Sequence, residues 1–149
     1  MTAVSFITYA LAQNHSGNLL MIGLGGSSLN NFLAQFSGKL NITVVELNPA
    51  MKFISTRWFD LQESSSHHVI IDDGVKYLED NIKNPLKFDI IFLDACFNML
   101  TNGTVCPVDV FQEENTIRMI QQNLGTHGIL TMNVAISRED DENFLKNVS

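Results

Sequence analysis

Leu19-Leu20-Met21-Ile22-Gly23-Leu24-Gly25-Gly26-Ser27-Ser28-Leu29 decides the fold of this chain. It opens as a short apolar run, breaks at three glycines and continues with helical spacing. That reads as a buried strand, a tight turn and a helix start. Glycine tolerates positive φ and lets a ligand approach the backbone without a Cβ in the way. The unpaired N–H groups of the next helix's first turn then face the same crevice. A nucleotide- or nucleoside-type cofactor site at residues 23–28 is the first expectation. The loop matches only the first two glycines of G-x-G-x-x-G, with Ser28 at the third. Taken alone it can also be a mere packing turn, which is the lesser reading, so the rest of the chain has to decide.

Outward from the loop, apolar β-rich runs alternate with amphipathic segments. Residues 19–23 form the first expected strand. A helix follows over about 27–36, with Leu29, Phe32, Leu33 and Phe36 at i, i+3, i+4, i+7 spacing, closed by Gly38. Ile42–Glu46 is β-branched and ends in an acid. Pro49 then suits the first turn of a helix running to about Leu61. His68–Ile71 closes in Asp72-Asp73-Gly74, ahead of a helix over about 75–82. Phe88–Leu93 ends in Asp94, and 98–107 reads as a long loop. A helix over about 110–124, a turn bracketed by Gly125 and Gly128, and a strand over 129–134 complete the pattern. Further helices are expected at 4–13 and 139–148. Five strand–helix alternations predict an α/β fold, a three-layer αβα Rossmann-like arrangement around a mostly parallel, doubly wound sheet. Residues 1–149 are expected to be one domain.

Composition narrows the function classes. Nine basic and 16 acidic residues give a formal charge of −7, and no Lys/Arg cluster occurs. A nucleic-acid partner is therefore not expected, because phosphate binding needs a basic face. A cationic substrate or basic protein partner fits better. No apolar run approaches the roughly 18 residues of a membrane span, and a cytoplasmic location is expected. Cys96 and Cys106 fit no zinc or redox spacing and read as two reduced thiols. The four histidines lack ligand spacing, and no metal is expected.

The strand ends carry the chemistry. In a parallel sheet every strand C-terminus lies on one edge, where ligands bind at the point of strand reversal. The turn Gly23–Gly26, Glu46, Asp72/Asp73 and Asp94 all fall at strand C-termini. Glu46 lies 23 residues after Gly23, near the roughly 20-residue offset of an acid that accepts from ribose hydroxyls. Its bland reading is a helix cap or a solvent-facing acid. Asp73-Gly74 offers an acceptor to an adenine amino group, or an N-cap. Asp94 meets a cation in the crevice or caps a turn.

Met21–Ser27, Val44-Val45-Glu46-Leu47-Asn48-Pro49, Asp73-Gly74 and Phe88–Asp94 stand in the order and spacing of class I S-adenosylmethionine-dependent methyltransferases. The chain resembles the spermidine-synthase-like branch, whose ribose-binding turn Val-Glu-Ile-Asp-Pro is similar to Val45–Pro49. Within it, Ile22–Gly26 and Cys106-Pro107 look most like the methyltransferase-like proteins that modify translation elongation factor 1A. The resemblance covers about Leu19 to Val134. It implies S-adenosyl-L-methionine as cofactor and a sheet of strand order 3-2-1-4-5. It implies that Gly23, Leu24 and Gly25 pack on the methionine and ribose parts. Glu46 would hold the ribose hydroxyls and Leu47 the adenine face. Asp73 would take the adenine amino group with Gly74 beside it, and Asp94 and Ala95 would lie near the amino-acid end or sulfonium. The acceptor implied is a protein amine or small amine.

Departures from the family pattern matter. Ser27 stands where a third glycine is common, and Asn48 replaces an Asp. Phe97 occupies the second acid of the aminopropyltransferases' Asp-x-x-Asp, which disfavours polyamine synthesis. The usual strands 6 and 7 have no expected counterpart, as in a truncated or divergent member. An open edge beyond the fifth strand would then suit homo- or hetero-oligomers. A catalytically inactive binding module and a nicotinamide-dependent oxidoreductase are the rival readings. No catalytic residue is assigned; Asp94 is the leading candidate, followed by the 96–106 segment.

Overall fold

A computed structural model describes residues 16–36, 40–97 and 103–137; the expected helices at 4–13 and 139–148 fall outside them. The described elements are β1 (Gly17–Ile22), α1 (Ser28–Phe36), β2 (Leu40–Glu46), α2 (Pro49–Trp58), β3 (His67–Ile71) and α3 (Gly74–Asn81). Then come β4 (Phe88–Leu93), β5 (Gly103–Cys106), a 3-10 turn (Asp109–Gln112), α4 (Glu114–Asn123), β6 (Leu124–Met132) and β7 (Ala135–Ser137). Among the described residues, no helix is long and apolar enough to cross a membrane.

The main sheet runs β3-β2-β1-β4-β6, and all four pairings are parallel. This is the expected order 3-2-1-4-5, with the short β5 shifting the last number. β1 sits at the centre, where Met21 is registered with Val44 on one side and Phe92 on the other. A strand covered on both faces needs apolar residues at every position, which is why 19–22 is an unbroken run. Alternation sorts its side chains into two cores. Leu19 and Met21 pack with Ile42, Val44, Phe92 and Leu33 of α1. Leu20 and Ile22 pack with Val45, Ile91, Leu78 of α3 and Ile120 of α4. Each such fully buried side chain stabilises the fold by about 1.5–3 kcal/mol.

Helix starts follow local chemistry. Asn48 Oδ1 accepts from the Ala50 amide at 2.9 Å with Pro49 following, and Asp73 Oδ1 accepts from the Val75 and Lys76 amides at 2.8 and 3.0 Å. Between α3 and α4, Asn81 Nδ2 donates to Asn123 Oδ1 at 2.7 Å, and Asn123 donates to the Leu78 and Met119 carbonyls. These buried amides are thereby satisfied, which fixes the two helices against each other.

Several expectations are corrected. The 98–107 loop contains β5, which pairs antiparallel with β7 in a separate two-stranded sheet. The helix over 110–124 is split, because Glu113 is extended (φ −70°, ψ 140°) between the 3-10 turn and α4. The strand expected at 129–134 begins at Leu124 and ends at Met132. Its Gly125–Gly128 turn is a bulge: β4 advances from Phe88 to Ile90 while β6 advances from Leu124 to Ile129. Phe32, assigned to the inward face of α1, is 45% exposed. Cys96 and Cys106 are not two thiols but a disulfide. The backbone causes the meeting: the Phe97 amide donates to the Val105 carbonyl at 2.9 Å, so the residues flanking that bond are neighbours, with Cα atoms 4.4 Å apart.

Candidate functional site

The C-terminal ends of β1, β2, β3 and β4 open on a cavity of about 420 Å3. Its lining includes every one of Gly23, Leu24, Gly25, Glu46, Leu47, Asp73, Gly74, Asp94 and Ala95. The apolar walls come from Met51, Val75, Val108, Val110 and Phe111.

Two glycines have separate reasons to be glycine. Gly23 has φ +99°, and a Cβ there would sit 2.3 Å from the Asp94 carbonyl oxygen. The chain must turn there while hugging the end of β4, and only glycine permits both. Gly25 has φ +50° and open space where a Cβ would stand. The loop continues through Ser27, which is fully buried at φ +58°. A serine thus adopts the left-handed conformation at the position where the family pattern has glycine, at a cost of about 1–2 kcal/mol. Ser55, the buried residue of α2, donates from Oγ to the Gly25 carbonyl at 2.9 Å and ties the loop to that helix.

Glu46 is buried at the end of β2. Its Oε2 accepts from the Leu24 amide at 2.8 Å and its Oε1 from the Asn48 amide at 2.7 Å. A carboxylate oxygen has two lone pairs, so each retains capacity for a hydroxyl donor. Of its two expected roles, Asp73 shows the cap. Oδ1 caps α3, and the residue also lines the cavity. Asp94 follows β4, with its amide donating to the Ile22 carbonyl at 2.9 Å. Its Oδ1 accepts from Asn133 Nδ2 at 2.9 Å.

The lining holds three carboxylates, Glu46, Asp73 and Asp94, and no lysine, arginine or histidine among the described residues. Such a cavity favours a cationic, hydroxyl-bearing ligand over one carrying a pyrophosphate. Strand order arranges the polar groups in a line: Asp73 just beyond β3, Glu46 at the end of β2, the glycine turn beyond β1 and Asp94 beyond β4. At about 4.8 Å per strand, the line is about 14 Å long.

Sequence reasoning missed Met51, Val75, Val108, Val110, Phe111 and Asn133. The first five carry no chemical signature beyond being apolar. Asn133 carried a usable signal, since it follows a strand that pairs with β4, but the misplaced end of β6 hid it.

No protein-family model matches the chain. It is 30% identical over 122 residues to the eEF1A lysine and N-terminal methyltransferase homolog of Drosophila melanogaster, covering 82% of this chain and 18% of that protein. It is 31% identical over 120 residues to the eEF1A lysine and N-terminal methyltransferase of Homo sapiens, covering 78% of this chain and 17% of that protein. Among solved structures, human methyltransferase-like protein 13 in complex with SAH matches with a TM-score of 0.75 and 27% identity, over 91% of this chain and 60% of that one. The fold is that of a Rossmann-like methyltransferase. This methyltransferase-like chain spans less than a fifth of the length of the curated eEF1A methyltransferases it matches. It is also 30% identical over 115 residues to the polyamine aminopropyltransferase of Vibrio vulnificus, covering 36% of that protein.

Proposed function

We propose that this chain binds S-adenosyl-L-methionine along the β3–β2–β1–β4 line and serves methyl transfer to an amine of a protein or small molecule. The observation that carries the reading is the order of groups on the cavity floor. Asp73 is the acceptor for the base amino group and Glu46 the acceptor for vicinal hydroxyls. The glycine turn is the close backbone approach to the centre, and Asp94 is the carboxylate for the cationic end. An extended adenosyl amino acid presents its donors in that same order.

The residues fit that group on structural grounds. Gly25 leaves open the space a side chain would fill, and both oxygens of the buried Glu46 keep acceptor capacity. When bound, the cofactor supplies a methyl group made electrophilic by the adjoining sulfonium. The protein's share is orientation and removal of water. Leu47 and Met51 border the base end, while Val108, Val110 and Phe111 provide an apolar wall. A neutral amine acceptor needs no dedicated base, so the reading assigns none. The protein's negative charge suits a basic protein around the acceptor amine. A protein amine is the acceptor class favoured by the names of the eEF1A methyltransferases. The aminopropyltransferase alternative has sequence similarity on its side. Against it, position 97, where that chemistry places a second acid, is a phenylalanine outside the cavity lining.

Calorimetric titration with S-adenosylmethionine, its decarboxylated form and NAD tests the reading. Binding of the first alone, at micromolar strength, supports it. Tighter binding of the decarboxylated form turns it toward aminopropyl transfer, and binding of NAD alone overturns it.

A further inference from the structure

Asn133 stands just beyond β6, in a segment that contributes nothing to the cavity lining. Four contacts nevertheless lock it to the cavity's β4 end. Its backbone amide donates to the Leu93 carbonyl at 2.9 Å. Its Nδ2 donates to Asp94 Oδ1 at 2.9 Å. The same Nδ2 lies 3.7 Å from Cys96 Sγ and 3.8 Å from Cys106 Sγ. An amide nitrogen has two hydrogens: one is committed to Asp94 and the other faces the two sulfurs, which accept weakly. Disulfide-bonded sulfurs have no hydrogen to give. Cys96 Sγ, 3.7 Å from Asp94 Oδ1, therefore cannot donate to it. Among the described residues, Asn133 is thus the side chain that donates to the Asp94 carboxylate.

We infer that Asn133 is a positioning residue. It holds one oxygen of Asp94 and fixes the carboxylate plane, so that Oδ2 receives the ammonium group of the ligand's amino-acid tail. The inference rests on the methyltransferase reading and adds to it the residue that sets recognition of the tail. Orientation matters because a carboxylate free to rotate must be ordered when the ligand binds, and that entropy is lost from the affinity.

The test compares two ligands that share a nucleoside but differ in the tail: S-adenosylhomocysteine, and 5′-methylthioadenosine, which lacks the amino acid. Calorimetry is run on the wild type, Asn133→Ala, Asp94→Ala and the double variant. Asn133→Ala is expected to weaken S-adenosylhomocysteine about five- to tenfold and leave 5′-methylthioadenosine within about twofold. On the Asp94→Ala background, where the acceptor is gone, the same substitution is expected to add nothing, because the two residues act through one contact. Equal weakening of both ligands, an unchanged ratio, or additive losses in the double variant would overturn the inference. Asn133→Leu, which keeps the side-chain shape without the donor, takes the place of the alanine variant if that one does not fold. If the wild type binds neither ligand, the parent reading fails instead, so the two failures are distinguishable.

Discussion

The carboxylate of Glu46 reaches across from the end of β2 to accept the Leu24 amide at 2.8 Å, binding the glycine turn to the neighbouring strand. Because Oε1 also accepts from Asn48, removing the carboxylate strands two backbone donors at once. Glu46→Ala is expected to cost on the order of 1.5–3 kcal/mol of S-adenosylmethionine affinity and to lower the melting temperature. Calorimetry and thermal denaturation measure the two effects. Affinity unchanged from wild type would remove Glu46 from the binding site.

The two glycines of the turn should separate stability from binding. Gly23→Ala forces a Cβ against the Asp94 carbonyl at a φ that disfavours it, and is expected to destabilise the fold by about 3 kcal/mol or more. Gly25→Ala meets open space, so only the backbone preference opposes it, about 1–2 kcal/mol. Its methyl group enters the region assigned to the ligand, so affinity is expected to fall more than stability does. Chemical denaturation and ligand titration of both variants would reveal any reversal of that ranking.

His67 makes stability depend on pH. It is buried on β3, its Nε2 pairing with Asn30 Nδ2 at 3.0 Å and its Nδ1 with the Gln62 carbonyl at 3.1 Å. Burial pushes its pKa below the ordinary 6.5, outweighing the Gln62 carbonyl and the charge of Glu63, which pull upward. The unfolded chain therefore takes up this proton at a higher pH than the folded one. This contribution to stability is complete above about pH 6.5 and declines as pH falls through that value toward the folded pKa. Urea unfolding at pH 7.5 and 5.5 should show the decline, and His67→Gln should reduce it. An identical decline in the variant would assign it to other groups.

The Cys96–Cys106 bond closes a loop with a sequence separation of 10. Chain-entropy arguments give about 2–3 kcal/mol for a loop of that size. Dithiothreitol is expected to lower the denaturation midpoint of the wild type accordingly. The Cys96→Ser/Cys106→Ser double variant should begin at the lower midpoint and ignore the reductant. A wild type indifferent to reductant would contradict the cross-link.

The sheet was legible from sequence because its signal is dense. Residues 19–22, 42–46, 68–71 and 88–93 are apolar or β-branched runs ended by a glycine or an acid, and those endings mark the edge on which the cavity lies. The helix cap at Asp73 was legible because its side chain competes for backbone N–H groups, whereas the cap ahead of Pro49 is Asn48 and not Glu46, the acid weighed for it. The second half of the chain was harder to read. β5 and β7 are short, and their pairing is a tertiary event that local pattern does not encode. The Gly125–Gly128 bulge has turn composition inside a paired strand. The disulfide was invisible for the same reason as β5: without the return of the chain at Val105, nothing in the spacing brings Cys96 to Cys106. Asp73 shows that a cap and a place on the cavity lining are compatible, since capping α3 engages one of its two carboxylate oxygens.

The parts of the cavity floor are spread along the chain from Gly23 to Asp94, and they become neighbours only when four strands have been laid in register. No short piece of this sequence carries the site. A ligand spanning the floor therefore recognises the assembled sheet and has no counterpart to hold in the denatured ensemble. Occupancy should raise the resistance of the whole molecule to unfolding by RT ln(1 + [L]/Kd), with amides of β1 and β4 at the sheet's centre gaining protection from hydrogen exchange along with those at the rim.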